Sequence, residues 1–396
     1  MLRLSLQDLV LRVKICKLGD VEQTLLEALD PPSSKNIRRA IDALKEVKAL
    51  TNGENLTPLG SQLAKLPLDV FLGKLIVHGA FFKCLDASLS IAAILSSKSP
   101  FVNTMGSNSQ KDLARLSFRR GDSDLLTVYN AYCVWKRIRS TAGGNEYSFC
   151  RKSFLNSQTL LNIEDIKMQL VVSIADAGLL KLDASQKATL NRSRYGGRQR
   201  QFFTIPEEYD VNSTNDTIVN SVIAWSFYPK LLTREGKGWR NVANNQTVTL
   251  HPTSVNKQSD ASLKWLSYYH IMQGRNRNYN AFETSAVDDF AIALLCGEVE
   301  FKVCLPTLYP GVAYVYIYND TNFTKMYSGV ISIDANRIRF SVRDWKSMLA
   351  LKVLSARIRE ILAGTFRDPH KMLSYKQRQW IDIWQQIFTQ AAKRNA

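Results

Sequence analysis

The 396-residue sequence predicts a multidomain α+β protein with a winged helix, a helical bundle, an OB-fold barrel and a helical C-terminal extension. Three observations predict this order. The chain is longer than one core of typical size requires. Apolar residues recur at helical spacing up to about residue 217, and strand-like segments separated by turns follow from 218 to 343. Helical spacing returns in a basic segment over residues 344–396.

Residues 1–66 carry the pattern of a small, mostly helical domain. "SLQDLVLRVKIC" has apolar residues at helical spacing with Ser5 as the expected N-cap, and Asp20 can cap "VEQTLLEAL". Ser34 opens a third helix, "KNIRRAIDALKEVKAL". "TNGENLT" then has the turn chemistry of a short hairpin. Three helices and a small wing predict a winged helix.

The stretch "ENLTPLGSQLAKLPLDVFLGKL" predicts a joint between two helices. Thr57 can cap a helix with Pro58 at its first position, and Pro67 should end it. Asp69 can cap the next helix, whose apolar residues cover nearly its whole circumference and place it centrally. We interpret the joint as structural, and His78 in the second helix as a satisfied core histidine.

Residues 67–217 are predicted to continue as a helical bundle. "DASLSIAAILSS", "DSDLLTVYNAYCVWKRIR" and "NIEDIKMQLVVSIADAGLL" read as helices, and Gly178 is a suitable residue after the end of the last one. The polar, basic segment at about 183–200 is predicted to be a mobile loop that contacts phosphates.

Residues 218–343 are predicted to be rich in strands. "SVIAWSFYPKLLTREG", "WRNVANNQTVTLHPTSV", "KWLSYYHIMQ" and "AFETSAVDDFAIALL" suit a small barrel of the OB type. A second group of strands, "EVEFKVCL", "VAYVYIYND" and "KMYSGVISIDANRIRFSV", extends it. Two basic helices near "WKSMLALKVLSARIREILAG" and "SYKQRQWIDIWQQIF" should close the chain.

The charge balance points to a polyanionic partner. The net charge is +17, and the basic residues are concentrated. Residues 181–200 hold six Lys/Arg against one acid, and residues 337–396 hold thirteen against four. A basic tail can be merely solvated, but two such regions in a folded chain favour nucleic acid among the polyanionic partners, which also include a ribosome or an acidic membrane surface. We expect no transmembrane helix and no signal peptide, and the six dispersed cysteines fit reduced thiols in the cytosol or nucleus.

No motif for independent catalysis occurs. The sequence lacks a GxxxxGK[ST] phosphate loop, an Asp-Glu-x-His run and a GxSxG elbow. Paired carboxylates such as Glu207-Glu208 and Asp288-Asp289 suit solvated faces or helix caps. Four scattered histidines and no CxxC pair make a zinc site unexpected. We therefore expect no cofactor in this chain.

Binding chemistry is concentrated in the predicted barrel. Cations neutralise phosphates, hydroxyls bond to the backbone of nucleic acid, and aromatic faces stack on bases. The cationic and polar candidates are Lys230, Arg234, Lys237, Arg240, His251, Ser254, Lys257, Arg275 and Arg277. The interleaved aromatic residues are Trp225, Tyr228, Trp239, Tyr268 and Tyr269, and a core role is the alternative for each of them.

Several linked motifs resemble one known family. "LTPLGSQLAKLPLDVFLGKLIVHGAFFKCLDASLSIAAILSSKSPF" resembles the junction of winged helix and ratchet-like domain in DEAH/RHA-type RNA helicases. "SDLLTVYNAYCVW", "FCRKSFLNSQTLLNIEDIKMQL" and "LHPTSVN" match further family signatures in order, up to about residue 365. The family's HPSS stands here as His251-Pro252-Thr253-Ser254, and its DGWIxF as "DANRIRF". Variant features are most similar to the members that act with the small ribosomal subunit in translation initiation, with the RNA helicase A and G-quadruplex-resolving kinds as runners-up.

The resemblance implies the RNA-gripping accessory region of an ATP-dependent helicase, with a ratchet-like bundle and OB-fold forming one wall of an RNA channel. It implies that ATP and Mg²⁺ bind in two RecA domains that this chain lacks, so we expect no ATPase activity from the chain alone. The contacts it implies are Lys230, Arg234, Lys237, His251, Thr253, Ser254, Lys257 and Arg275, with Arg151 and Lys152 on the bundle.

Two functional hypotheses follow. The first is RNA binding in support of unwinding, with the RecA domains of the parent and the small ribosomal subunit as further partners and no membrane partner. The second is a protein- or ribosome-docking module that recruits or regulates the helicase through its barrel and basic tail. Both imply a cytoplasmic protein, with the nucleus as the alternative location.

Overall fold

A computed structural model describes most of the chain. The described residues are 6–102, 108–195, 202–236, 238–258, 263–274, 278–304, 328–334, 338–342 and 345–395.

The first segment contains four helices and one antiparallel bridge. Helices α1 (Leu6–Ile15), α2 (Val21–Leu26), α3 (Ser34–Glu46) and α4 (Pro58–Leu63) follow each other. The Asp20 carboxylate accepts the Gln23 N–H and caps α2, as predicted. The predicted wing is reduced to a single pair, Leu50 with Leu56. The expected cap Ser5 lies outside the described residues.

Both predicted caps of the joint after α4 are confirmed, while α4 itself ends at Leu63, before Pro67. The Thr57 hydroxyl accepts the Gly60 N–H at 2.9 Å and donates to the Lys48 carbonyl at 2.8 Å. The Asp69 carboxylate accepts the Phe71 N–H at 3.0 Å and opens α5 (Val70–Phe81). Two capped starts separated by Pro67 therefore fix the angle between the first domain and the bundle.

The bundle surrounds α5, which is buried on most sides as predicted. Its further helices are α6 (Leu85–Leu95), α7 (Asn108–Leu116), α8 (Asp124–Ser140), α9 (Glu146–Lys152), α10 (Ser157–Asp176) and α11 (Ala184–Tyr195). His78 is satisfied in the core, because its Nδ1 lies 3.0 Å from the Ser226 hydroxyl, and burial lowers its pKa to about 3. Gly178, at φ +82°, follows α10 as predicted.

The segment predicted to be a basic loop at 183–200 begins as a helix instead. Helix α11 carries the exposed Lys187 and Arg192, and residues 196–201 lie outside the described residues. The Asp183 carboxylate accepts the Gln186 N–H, while the Gln186 side chain accepts the Asp183 N–H. This reciprocal pair is a capping box, which holds the helix start despite the polar composition.

The predicted strand region opens with a helix. Residues Asp216–Phe227 form α12, and the prediction of a strand at "SVIAWSF" is wrong. "DDFAIALL" likewise contains helix α13 (Asp289–Leu295) rather than a strand. Both runs are apolar on all sides, and periodicity alone does not separate a buried helix from a buried strand. Their caps, Asn215 and Asp288, accept backbone N–H groups three residues on.

The strands form one open sheet and one small sheet. The first contains β1 (Leu231–Glu235), β2 (Gly238–Asn241), β3 (Thr247–Leu250), β4 (Trp265–Ser267), β5 (His270–Gln273), β6 (Tyr279–Phe282) and β7 (Ser285–Val287). Their order is β5-β6-β3-β2-β1-β4-β7, with only β3 and β6 parallel. Among the described strands no pairing joins β5 to β7, so the predicted barrel is not closed. Strands β8 (Val299–Cys304), β9 (Ser328–Ile333) and β10 (Ile338–Val342) form a separate antiparallel sheet.

The C-terminal helices α14 (Trp345–Arg367) and α15 (Tyr375–Asn395) pack into the core. Trp384 and Phe388 of α15 are both 1% exposed. Trp384 lies 4.6 Å from Phe82, and Phe388 lies 5.8 Å from Trp225, measured between ring centroids. The basic tail is therefore an integral part of the bundle. None of the helices in the described ranges has the length and apolar content needed to cross a membrane.

We predict that Gly60→Ala destabilises the joint although alanine is normally the better helix former. A Cβ at Gly60 would lie 2.0 Å from the Ala49 carbonyl oxygen, which is backbone and cannot turn away. We expect urea denaturation to show a loss of about 2 kcal/mol or more.

Gly53→Ala is the matched control, because a Cβ there meets nothing closer than 3.7 Å. Its unfolding free energy should change by less than about 0.5 kcal/mol. Equal stabilities for the two variants would contradict the close approach of α4 to Ala49.

Candidate nucleic-acid interface

The predicted residues at 251–257 lie where the OB-fold sheet meets the bundle. The loop leaves β3, whose Thr249 and Leu250 pair with Asn280 and Ala281 of β6. The His251 N–H donates to the Ala281 carbonyl at 3.0 Å and extends that pairing by one bond. The chain then turns away from the sheet through a 3₁₀ turn at Val255–Gln258.

Asp124 holds this loop against the bundle. Asp124 is the first residue of α8, and it is 1% exposed. Oδ2 accepts the Ser254 hydroxyl at 2.8 Å and the Thr284 N–H at 2.9 Å, and Oδ1 accepts the Val255 N–H at 2.8 Å. A buried carboxylate is tolerated only where donors replace water, and here the donors come from two loops of the sheet.

Ser254 therefore helps to hold the 251–257 loop against the bundle. The residue is 8% exposed, and its hydroxyl lies between Asp124 and the Thr284 hydroxyl, which is 2.9 Å away. The sequence placed Ser254 among the RNA contacts because of its match to a family motif. Its burial and its bond to Asp124 correct that assignment, and we remove Ser254 from the proposed contacts.

His251 and Thr253 remain at the surface side of the same loop. The Nδ1 atom of His251 lies 2.7 Å from the Thr253 hydroxyl and accepts the Thr253 N–H at 3.3 Å. Burial lowers the pKa of His251, and the nearby positive charge of Arg115 lowers it further. The imidazole is therefore neutral at pH 7, with Nδ1 as acceptor and Nε2–H as the remaining donor.

A column of three rings supports this imidazole. The His251 ring stacks on Phe282 with centroids 4.1 Å apart, and Phe282 stacks on His270 at 4.8 Å. The His270 ring, in turn, has its Nδ1 3.0 Å from the Glu283 carboxylate. Neither Phe282 nor His270 was singled out from the sequence.

Arg115 is a second residue that the sequence did not single out. Its guanidinium lies 3.7 Å from Oδ1 of Asp124 and 5.5 Å from the centroid of the Phe101 ring. Within the described residues, its buried Nε has no hydrogen-bond partner. Because that nitrogen has no solvent access, it is a buried unsatisfied donor that an anion from outside the chain does not reach. The only sequence signal was its place in the basic run "KDLARLSFRR".

Arg151 and Lys152 are exposed at the end of α9, as a contact role requires. A line of rings connects this helix to Arg115. Phe149 of α9 lies 6.1 Å from Phe118, and Phe118 lies 6.4 Å from Phe101. The two basic side chains thus extend from an element that packs against the same core as the Arg115 guanidinium.

Lys230 and Arg234 are engaged within the protein. The Lys230 ammonium donates to the Tyr269 carbonyl at 3.0 Å and lies 3.7 Å above the Phe71 ring, and burial lowers its pKa to about 8. The Lys230 side chain chiefly connects α5 to the sheet. Arg234 is half-buried and lies over Trp239 at 5.2 Å. Lys237 and Arg275 lie outside the described residues.

Most of the aromatic residues predicted to stack on bases belong to the core. Trp225, Tyr228, Trp239 and Tyr268 are between 2% and 7% exposed, so they present no ring face to a partner. Tyr269 is half-buried and packs against Phe227. In the described ranges, no group of three His, Cys, Asp or Glu side chains could hold a metal ion.

The comparisons with known proteins agree with this architecture. Residues 69–128 match the helicase associated domain (HA2), ratchet-like, and residues 219–299 match the oligonucleotide/oligosaccharide-binding (OB)-fold. The human "ATP-dependent RNA helicase DHX29" is 33% identical over 304 residues, which are 76% of this chain and 22% of that protein. The Bos taurus "ATP-dependent DNA/RNA helicase DHX36" is 32% identical over 310 residues, 76% of this chain and 29% of that protein.

The fold and the two matched domains are those of the accessory region of a helicase. The chain is similar to the C-terminal region of DEAH/RHA-type RNA helicases, which confirms the resemblance seen in its sequence motifs. It spans between about a fifth and three tenths of the length of the relatives it matches.

We predict that Asp124→Asn loosens the joint between bundle and sheet. The amide NH₂ of asparagine would face N–H or O–H donors. At least one buried donor would then lose its acceptor. We expect the free energy of unfolding to fall by about 2–4 kcal/mol, measured by urea denaturation.

Asp20→Asn is the control, because Asp20 is an exposed N-cap and asparagine caps about equally well. A loss for Asp124→Asn no larger than that of the control would show that the carboxylate does not hold the joint.

Proposed function

We propose that this chain is the RNA-binding accessory module of an ATP-dependent RNA helicase. The observation that carries the proposal is the set of exposed cations Arg151, Lys152 and Lys257 on a chain whose residues 69–128 and 219–299 match the HA2 and OB-fold domains. The chain's similarity to DEAH/RHA-type helicases and its net charge of +17 support it. Six predicted contacts remain in the described residues: Arg234, His251, Thr253, Lys257, Arg151 and Lys152.

The chemistry of these side chains suits the RNA backbone. Guanidinium and ammonium groups neutralise phosphates, and the imidazole Nε2–H is a single donor for a phosphate or sugar oxygen. The Thr253 hydroxyl donates its proton to Nδ1 of His251, so it can only accept, for example from a ribose hydroxyl. The buried tryptophans offer no stacking faces, so base identity contributes little. We therefore expect sequence-tolerant binding whose strength falls steeply with salt.

In this proposal the module forms one wall of an RNA channel, and RecA domains that bind ATP and Mg²⁺ move the strand against it. The fixed angle between α4 and α5 and the Asp124 joint would keep that wall rigid. Action in translation initiation with the small ribosomal subunit, in the cytoplasm, is the narrower form of the proposal.

We predict that removing three exposed charges weakens RNA binding and its salt dependence together. The variant is Arg151→Gln, Lys152→Gln and Lys257→Gln, all exposed side chains. Fluorescence anisotropy with an oligouridine across salt should show the slope of log K against log salt reduced by about 2, given about 0.7 per contact for single strands.

A matched triple variant controls for net charge. Lys17→Gln, Lys35→Gln and Arg39→Gln also remove three exposed cations, from the first domain. This control should keep the slope of the unmodified chain. The same loss in both variants, or no salt dependence in the unmodified chain, would contradict RNA binding at the proposed surface.

For the second hypothesis, docking to a protein or ribosome, we propose the exposed surface of the C-terminal helices as the docking site. The exposed cations of these helices include Lys352, Lys376 and Arg378. Deleting the tail cannot test it, because Trp384 and Phe388 fill the core. We predict that Lys376→Glu with Arg378→Glu lowers binding to small ribosomal subunits several-fold in a pelleting assay if docking operates, while oligouridine binding stays unchanged. Unchanged pelleting would exclude this face as the docking surface.

A further inference from the structure

A cavity of about 640 Å³ lies between the first domain, α5 and α14, away from the His251 loop. Its first-domain wall is formed by residues 46–48 and 57–59, and its opposite wall by α14. The turn after α13 and the end of β9 complete the lining. Most of the walls are apolar, through Val47, Pro58, Leu59, Leu295, Leu362 and Phe366.

Lys74 lines this cavity without a partner. The residue is 6% exposed on the central helix α5. In the described part of the chain no hydrogen bond or ion pair engages its ammonium. Burial lowers its pKa to about 8, which leaves the amine charged at neutral pH. A buried ammonium without a counter-ion is costly, and such groups are normally paired.

The neighbouring groups do not supply that counter-ion. Burial raises the pKa of the Cys296 thiol to about 12, so it stays neutral. His78 is neutral and bonded to Ser226. The Asp334 carboxylate accepts the Tyr228 hydroxyl and, at 2.6 Å, the Glu298 N–H.

Among the described residues that line the cavity, the remaining charges leave the interior one positive charge in excess. Glu46, Lys48 and Glu298 are exposed at the rim, where Lys48 pairs with Glu298. Inside, Arg359 is the second cation, held by the Ser355 hydroxyl and the Leu294 carbonyl. Two interior cations, Lys74 and Arg359, thus face one carboxylate, that of Asp334.

We propose that this cavity binds a small amphipathic organic anion, whose single anionic group pairs with Lys74 and whose apolar body fills the space against α4 and α14. The charge excess fixes the head group as a monoanion such as a carboxylate or sulfonate. The apolar walls favour an aromatic or aliphatic body, and the volume suits a molecule of small-ligand size. The site is independent of the RNA-binding proposal, since it shares no residue with that surface.

The test uses 8-anilinonaphthalene-1-sulfonate and its neutral analogue N-phenyl-1-naphthylamine as fluorescent probes on the full chain. Lys74→Met keeps the length and removes the charge, and Lys35→Met on the exposed face of α3 is the control. We expect one saturable site for the sulfonate in the unmodified chain and in the control. Lys74→Met should bind it at least about tenfold more weakly, a loss of roughly 1.4 kcal/mol, and should bind the neutral probe at least as well.

Folding of Lys74→Met is checked in the same experiment. Because the substitution removes a desolvated charge, its thermal midpoint should equal or exceed that of the unmodified chain. The proposal is overturned if Lys74→Met binds the sulfonate as tightly as the unmodified chain does. It is equally overturned if the unmodified chain binds the neutral probe as tightly as the sulfonate.

Discussion

The buried carboxylate of Asp124 is the interaction on which the candidate interface depends. It begins α8 in the bundle, and its oxygens accept hydrogen bonds from two different loops of the sheet. The Asp124 N–H also donates to the Thr284 carbonyl at 2.8 Å, so that even the backbone crosses the boundary. A charge at this depth admits few geometries, because each lost donor leaves an unsatisfied acceptor. The loop that carries His251 is thereby held against the bundle.

A second buried set of charges stiffens the bundle behind this joint. The Lys167 ammonium, fully buried, lies 2.6 Å from the Asp86 carboxylate, which also accepts the Tyr129 hydroxyl. Burial alone would lower the pKa of Lys167, but the Asp86 charge beside it raises the pKa. Burial and the Asp86 charge raise the pKa of Asp210 to about 6. These groups join α6, α8 and α10 through directional bonds, which suits a platform that holds its shape.

The sequence predicted the surface cations better than the polar residues of the joint. Arg151, Lys152 and Lys257 are exposed, as a contact role requires. Ser254 and Lys230 were placed in the same set, yet one is bonded to Asp124 and the other to the Tyr269 carbonyl. A motif match gives the residue type, but it does not say which group in a distant segment will take the hydrogen bond.

The amino-acid sequence alone specifies where several helices of this chain begin. Asp20, Thr57 and Asp69 cap the helices assigned to them, because a cap needs only a side-chain oxygen two or three residues before its N–H. Tertiary structure decided that "SVIAWSF" is the helix α12, since a run that is apolar on every side has no period to separate helix from strand. It also decided the partners of Asp124 and the isolation of Lys74. Those depend on contacts across tens to hundreds of residues, which no local pattern encodes.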